Sequence, residues 1–161
     1  MEIEMKIRGL IVDPSTNAPV VILKDVSSDT VLPIWVGLPE FNAIYLEVEK
    51  STPPRPMTHD LIKNLIHGLN AEIQRVVVTE LKDDTFYATI WMEQNGELVI
   101  LDARPSDAIA LALRADCPIF VNEDVLKVAR VVPNTADSVS AEELRRWLEG
   151  LNDEDMGRYK M

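Results

Sequence analysis

The sequence predicts an α+β domain in which a mainly antiparallel, mixed β-sheet carries about four packed helices. Three observations lead there. The N-terminus alternates Met1, Ile3, Met5 and Ile7 with Glu2, Glu4, Lys6 and Arg8, the period of a strand that lays one face on a core. Three consecutive runs, RVVVTELK, TFYATIWME and ELVILDA, are separated by Asp83-Asp84 and by Gln94-Asn95-Gly96, and Asn-Gly is a strong turn signal, so they read as an antiparallel meander. Other segments place apolar residues three and four apart, the spacing of helices buried along one face.

Taken in order, DPSTNAP ends the first strand with turn-forming residues, and VVILKDV and TVLPIWVG flank Ser27, Ser28 and Asp29 as a hairpin. LPEFNAIYLEVEK starts a helix at Pro39, with Phe41, Ile44, Tyr45 and Val48 on a shared face. STPPRP breaks the chain. Thr58 is the expected N-cap of HDLIKNLIHGLN, where Leu61, Ile62, Leu65, Ile66 and Leu69 form an apolar stripe and Gly68 weakens the last turn. After the meander, Ala108 to Leu113 leave no solvated side on a third helix, with Ser106 as its expected cap and Asp107 in its first turn. The strand ending at Asp102, this helix and the strand PIFV read as a right-handed crossover that brings a parallel pair into the sheet. NEDVLKVA is a short helix capped by Asn122, and Ser140 with Glu143 makes a capping box for AEELRRWLEG. The expected organisation is a domain over 1–132, a linker at 133–139, a C-terminal helix at 140–150 and a fraying acidic tail at 151–161.

At 161 residues the chain is long enough for one domain with a real core and too short for two independent ones. Hydrophobic residues at 47% and charged residues at 27% are those of a globular protein rather than a disordered one. No apolar run is long enough to cross a bilayer, and MEIEMKIRG lacks the regions of a signal peptide, so a cytoplasmic protein with no membrane partner is expected. The single cysteine, Cys117, excludes an internal disulfide and a thiolate zinc site within one chain. A formal net charge of -11 argues against broad adhesion to nucleic acid, because phosphate binding rests on Lys and Arg. Any nucleic-acid chemistry therefore needs a local positive patch or bound cations. The sequence has no Gly-rich phosphate loop, G-x-S-x-G elbow or Rossmann fingerprint.

Two polar clusters interrupt this apolar plan. LDARPSD places Asp102, Arg104, Ser106 and Asp107 where a strand end meets the mouth of a buried helix; PRPMTHD places Arg55, His59 and Asp60 at another helix start. Two readings are open. Helix caps and an ion pair account for every one of these residues without chemistry. Alternatively, Asp102 and Asp107, joined by Glu40 from the first helix, hold Mg²⁺ or Mn²⁺ through oxygen, while Arg104 grips a phosphate. Histidine is the side-chain type suited to moving protons near neutrality, which singles out His59, whereas His67 lies in a last turn where the helix dipole favours a cation. Trp35, Trp91 and Trp147 are scattered and read as packing residues.

The runs PIWVG…E…AI, PPRPMTHDLI, DDTFYATIWM and LDARPSDAIALALR…PIFV resemble, in order and context, the bifunctional nuclease domain family, over residues 1 to 132. The resemblance implies a compact β-rich α+β fold, self-association as a homodimer or other homo-oligomer, and a nuclease activity on DNA and RNA that depends on divalent metal. It marks Arg55, His59, Asp60, Asp102, Arg104, Ser106 and Asp107 as motif positions. On chemical grounds His59, Asp60, Arg104 and Asp107 are the catalytic candidates, Arg55, Arg104 and Ser106 the substrate contacts, and Asp102, Asp107 and Glu40 the metal ligands. The rival expectation is a non-catalytic regulatory or assembly module that binds an anionic ligand or a protein partner through the same pocket.

Overall fold

The computed structural model describes residues 1–14 and 16–129 together with the backbone of Val132–Pro133. The described residues form β1 (Glu2–Val12), β2 (Pro19–Asp25), β3 (Thr30–Trp35), α1 (Leu38–Val48), α2 (Thr58–Gly68), β4 (Ala71–Lys82), β5 (Thr85–Gln94), β6 (Glu97–Ala103), α3 (Pro105–Ala115), β7 (Ile119–Asn122), α4 (Glu123–Val128) and β8 (Val132–Pro133). Apart from Pro133, the expected linker, C-terminal helix and tail, with the Ser140 capping box and Trp147, lie outside the described residues. Among those residues no helix is long and apolar enough to cross a membrane.

The strands make one mixed sheet in the order β6-β5-β4-β7-β1-β2-β3-β8. Every pairing is antiparallel except that of β4 with β7. The meander turns carry the left-handed backbone that such two-residue loops require: Asn95 (φ 52°) and Gly96 (φ 79°) between β5 and β6, and Asp83 (φ 51°) and Asp84 (φ 59°) between β4 and β5. The parallel pair exists, but its members differ from expectation. β7 lies beside β4, and β5 and β4 stand between it and β6, so the β6–α3–β7 connection passes over two strands. Residues 119–122 are a short strand whose neighbours are chosen by tertiary packing, which local pattern does not report.

The core lies between the sheet and α1, α2 and α3. Val76, Val78, Ala88, Ile90 and Met92 from β4 and β5 meet Ala108 to Ala112 of α3, all buried. Ile109 is fully enclosed, and truncating such a side chain to alanine costs about 2–5 kcal/mol. β2 and β3 are buried on both faces, which explains their unbroken apolar runs.

Helix ends differ from the sequence expectation at two points that matter for the site. α2 is capped at Met57 rather than Thr58, with the Asp60 carboxylate accepting the Met57 N–H at 2.9 Å. α3 is capped at Arg104, with Pro105 opening the helix, so Ser106 sits one residue inside it. The apolar faces are also narrower than their spacing suggests. Phe41 and Ile44 of α1 are buried while Tyr45 and Val48 are exposed, and in α2 Ile62 and Ile66 pack on the core while Leu61, Leu65 and Leu69 face solvent.

Candidate active site

Side chains from the first turns of three helices meet at one corner. Glu40 projects from the start of α1, His59 from the start of α2, and Asp107 from the start of α3, beside its cap residue Arg104. The positive ends of the three helix dipoles suit carboxylates at these places. His59 Nε2 lies 2.8 Å from Asp107 Oδ1, across 48 positions of sequence. Arg104 donates from Nε to Asp107 Oδ2 at 3.0 Å, and its Nη2 lies 2.9 Å from both Asp107 Oδ2 and Glu40 Oε1. An ionised carboxylate only accepts, so Nε2 carries the hydrogen of the His59–Asp107 bond and Nδ1 is left as the basic nitrogen. His59 is buried, whereas about half of the Arg104 side chain is open to solvent. Hydrogen bonds from Arg104 to Glu40 and then to Asp107 raise its pKa above the ordinary guanidinium value, which fixes it as a permanent cation.

A second clamp holds the start of α2 in place. Arg114, buried in α3, donates from Nε to Asp60 Oδ1 at 2.7 Å, from Nη2 to the Ala43 carbonyl of α1 at 3.0 Å, and from Nη1 to the Ala110 carbonyl at 2.9 Å. One guanidinium thus ties three helices together, holding α2 at the residue that follows His59. Burial pushes the Asp60 pKa upward, but the Met57 N–H, the Arg114 guanidinium and the neighbouring His59 together bring it below its ordinary value of 3.8.

Glu40 reaches Arg104 because Gly37, the N-cap of α1, has no side chain. A Cβ there would collide with the Glu40 carboxylate.

The remaining candidates lie elsewhere. Asp102 pairs with Thr89 in the β5–β6 ladder, while its neighbours Leu101 and Ala103 pair with the buried Ile90 and Ala88. Strand alternation therefore points Asp102 to the sheet face opposite the helices, exposed, without a hydrogen bond or ion pair among the described residues. Ser106 is fully buried, and its hydroxyl has no hydrogen-bond partner among the described residues. Arg55 is exposed in the proline-rich loop, lining a cleft of about 280 Å³ with Glu47, Ser51 and Asp60.

The expected set of Asp102, Asp107 and Glu40 is therefore not assembled, and among the described residues no three His, Cys, Asp or Glu side chains converge as a cation site. A single nitrogen of Arg104 bridges the two carboxylates that are close, so this donor set, as arranged, does not fit a divalent ion.

Sequence reasoning passed over Arg114 and Gly37. Arg114 carried a signal, being a charged residue in the otherwise apolar run AIALALRA, seven positions after Asp107 and so on the same side of the helix. Gly37 carried none, since its meaning depends on where Glu40 folds.

Fold and site together define a mixed-sheet α+β domain with a His–Asp–Arg–Glu cluster where three helices begin. The family model described as "Bifunctional nuclease domain" matches residues 21–134, and the chain belongs to that family. An uncharacterised protein of Mycobacterium tuberculosis is 39% identical over 143 residues, covering 88% of this chain and 85% of its own length. "Bifunctional nuclease 1" of Oryza sativa subsp. indica is 28% identical over 130 residues, 76% of this chain and 39% of the rice protein. "Bifunctional nuclease 1" of Arabidopsis thaliana is 33% identical over 72 residues, 43% of this chain and 22% of the plant protein.

Proposed function

We propose that the protein is a nuclease that hydrolyses phosphodiester bonds of DNA or RNA at the His59–Asp107–Arg104–Glu40 cluster. The observation that carries this reading is the contact of His59 with Asp107, on a carboxylate that Arg104 also holds. It joins a proton carrier, its orienting acid and a fixed cation at a solvent-reaching corner. Family membership and the plant relatives named nucleases support it.

In this reading His59 Nδ1 takes the proton of an attacking water as the water oxygen bonds to phosphorus, Asp107 holds the ring and balances the charge it gains, and the phosphorus–oxygen bond to the leaving group breaks, its oxygen keeping the electron pair and taking a proton from solvent. Arg104 has donors left for a phosphoryl oxygen, because its partners among the described residues engage only Nε and Nη2. Asp60 and Arg114 position His59, and Arg55 draws the nucleic-acid backbone toward the corner. No step runs through a metal. The dependence on Mg²⁺ or Mn²⁺ expected from the resemblance is read in the assay below.

Purified protein is assayed on single- and double-stranded DNA and RNA in Mg²⁺, in Mn²⁺ and in chelator. His59→Ala is expected to lose about 10²–10⁴-fold in cleavage and Arg104→Ala about 10²–10³-fold, with circular dichroism unchanged. Asp102→Ala is expected to cleave as wild type does. Cleavage that survives His59→Ala, Asp107→Ala and Arg104→Ala in folded protein overturns the assignment.

One observation favours a second reading, a non-catalytic regulatory or assembly module. With His59 neutral the cluster carries one net negative charge, and both of its carboxylates are already satisfied by Arg104. Absence of cleavage in every metal condition, with Arg104→Ala lowering only the melting temperature, selects this reading.

A further inference from the structure

We propose that residues 144–151 of this chain, which lie outside the described residues, dock as a helix on the leucine flank of α2. Met57, Leu61, Leu65 and Leu69 stand at every fourth position from the N-cap of α2 to its C-cap, the spacing of a ridge along a helix. Ile62 and Ile66 beside that ridge pack on the core, whereas Leu61 is 53%, Leu65 56% and Leu69 65% exposed. Among the described residues no other helix exposes such a row. The exposed apolar residues of β6 are divided between its two faces, Leu98 and Ile100 on one and Leu101 on the other, so no single helix covers them.

The sequence past the described residues supplies the occupant. Leu144, Trp147, Leu148 and Leu151 recur three and four positions apart on one helical face, while every other residue from 140 to 150 is small or charged. The pairs Leu144–Leu148 and Trp147–Leu151 are themselves rows of period four, which interleave with the α2 ridge in the helix crossing commonest in globular proteins. A helix this short is marginal in water, since nucleation is costly, and forms where its apolar face is covered. The segment lies past residues 21–134, on which family membership rests.

The chain is long enough to make this contact within itself. β8 stands five strands from β4, the strand that follows α2, roughly 24 Å at about 4.8 Å per strand. Residues 134–144 extend to roughly 36 Å at about 3.3 Å each. A tether of that kind holds the segment at a local concentration that a second copy in dilute solution does not reach. Docking braces the helix that bears His59. The inference rests on the exposed flank and not on the nuclease reading, and its test needs no substrate.

The full chain carrying Leu65→Cys and Leu148→Cys is expected to close a disulfide under mild oxidation while remaining at the monomer mass of 18.1 kDa. Closure is expected about tenfold faster than with Ile100→Cys and Leu148→Cys, whose first thiol is comparably exposed on β6. Native Cys117 does not compete, because burial raises its thiol pKa to about 11. In otherwise native protein, Trp147→Asp is expected to speed hydrogen exchange of the α2 amides about tenfold, and Leu65→Lys that of the amides of residues 144–151. Equal closure through Ile100 overturns the proposal, as does α2 exchange that Trp147→Asp leaves unchanged. A linked product of twice the monomer mass also overturns it and assigns the flank to a second copy.

Discussion

At Gly37 the missing side chain is what allows the Glu40 carboxylate to fold back toward Arg104. The backbone there is extended and open to any residue, so Gly37→Ala perturbs through the collision alone. Glu40 must then rotate away, and Arg104 pivots on Asp107 only. The expected outcome is a stability change within about 1 kcal/mol and a loss of about tenfold in cleavage, since small displacements of a positioned group are costly. Glu40→Gln is expected to cost about the same, and the double variant no more than either single change; additive losses in this cycle would separate the two residues. Individual residues were partly legible in the sequence. His59, Asp107, Arg104 and Glu40 were all named there, and the structure brings them together. Asp102 was named too, yet ELVILDA is apolar on both of its faces, so alternation alone did not tell which face was inside.

Elements are held to one another by Arg114. Its guanidinium is almost wholly enclosed, and it satisfies Asp60 of α2 and a carbonyl of α1 at once. Arg114→Met takes the guanidinium donors from the Ala43 carbonyl and from the Asp60 carboxylate, which keeps only the Met57 N–H, an expected loss of about 3 kcal/mol by urea unfolding. Arg114→Lys is expected to recover less than half of it, because a single ammonium lacks the planar three-way reach. The same clamp sets a dependence on acidity. The Asp60 pKa is lowered on folding, so the unfolded chain binds its proton more readily, and stability falls as pH drops below 3.8 through the folded value. Unfolding midpoints compared at about pH 5 and about pH 3 should show this slope in wild type and a shallower one in Asp60→Asn. At this scale the sequence reported where α2 lies but not which side of it is covered. Apolar spacing shows that a stripe exists, and Leu61, Leu65 and Leu69 show that a stripe need not be buried.

In the whole molecule, a strand of four residues joins two blocks. β1–β3 with β8 lie on one side of β7, and β4–β6 on the other. Turn chemistry and alternation made β1–β3 and β4–β6 legible as strands, hairpin and meander, because both are local, whereas β8 takes in Pro133, which the sequence places in a linker. The joint between them was not legible, since it depends on contacts between residues 76–78, 119–121 and 2–5. A ribosome delivers β1–β3 and β4–β6 before it delivers the strand that unites them. Nascent chains released before residue 122 therefore have two unclosed half-sheets, and synthesis past that point is expected to be the moment at which protease resistance appears.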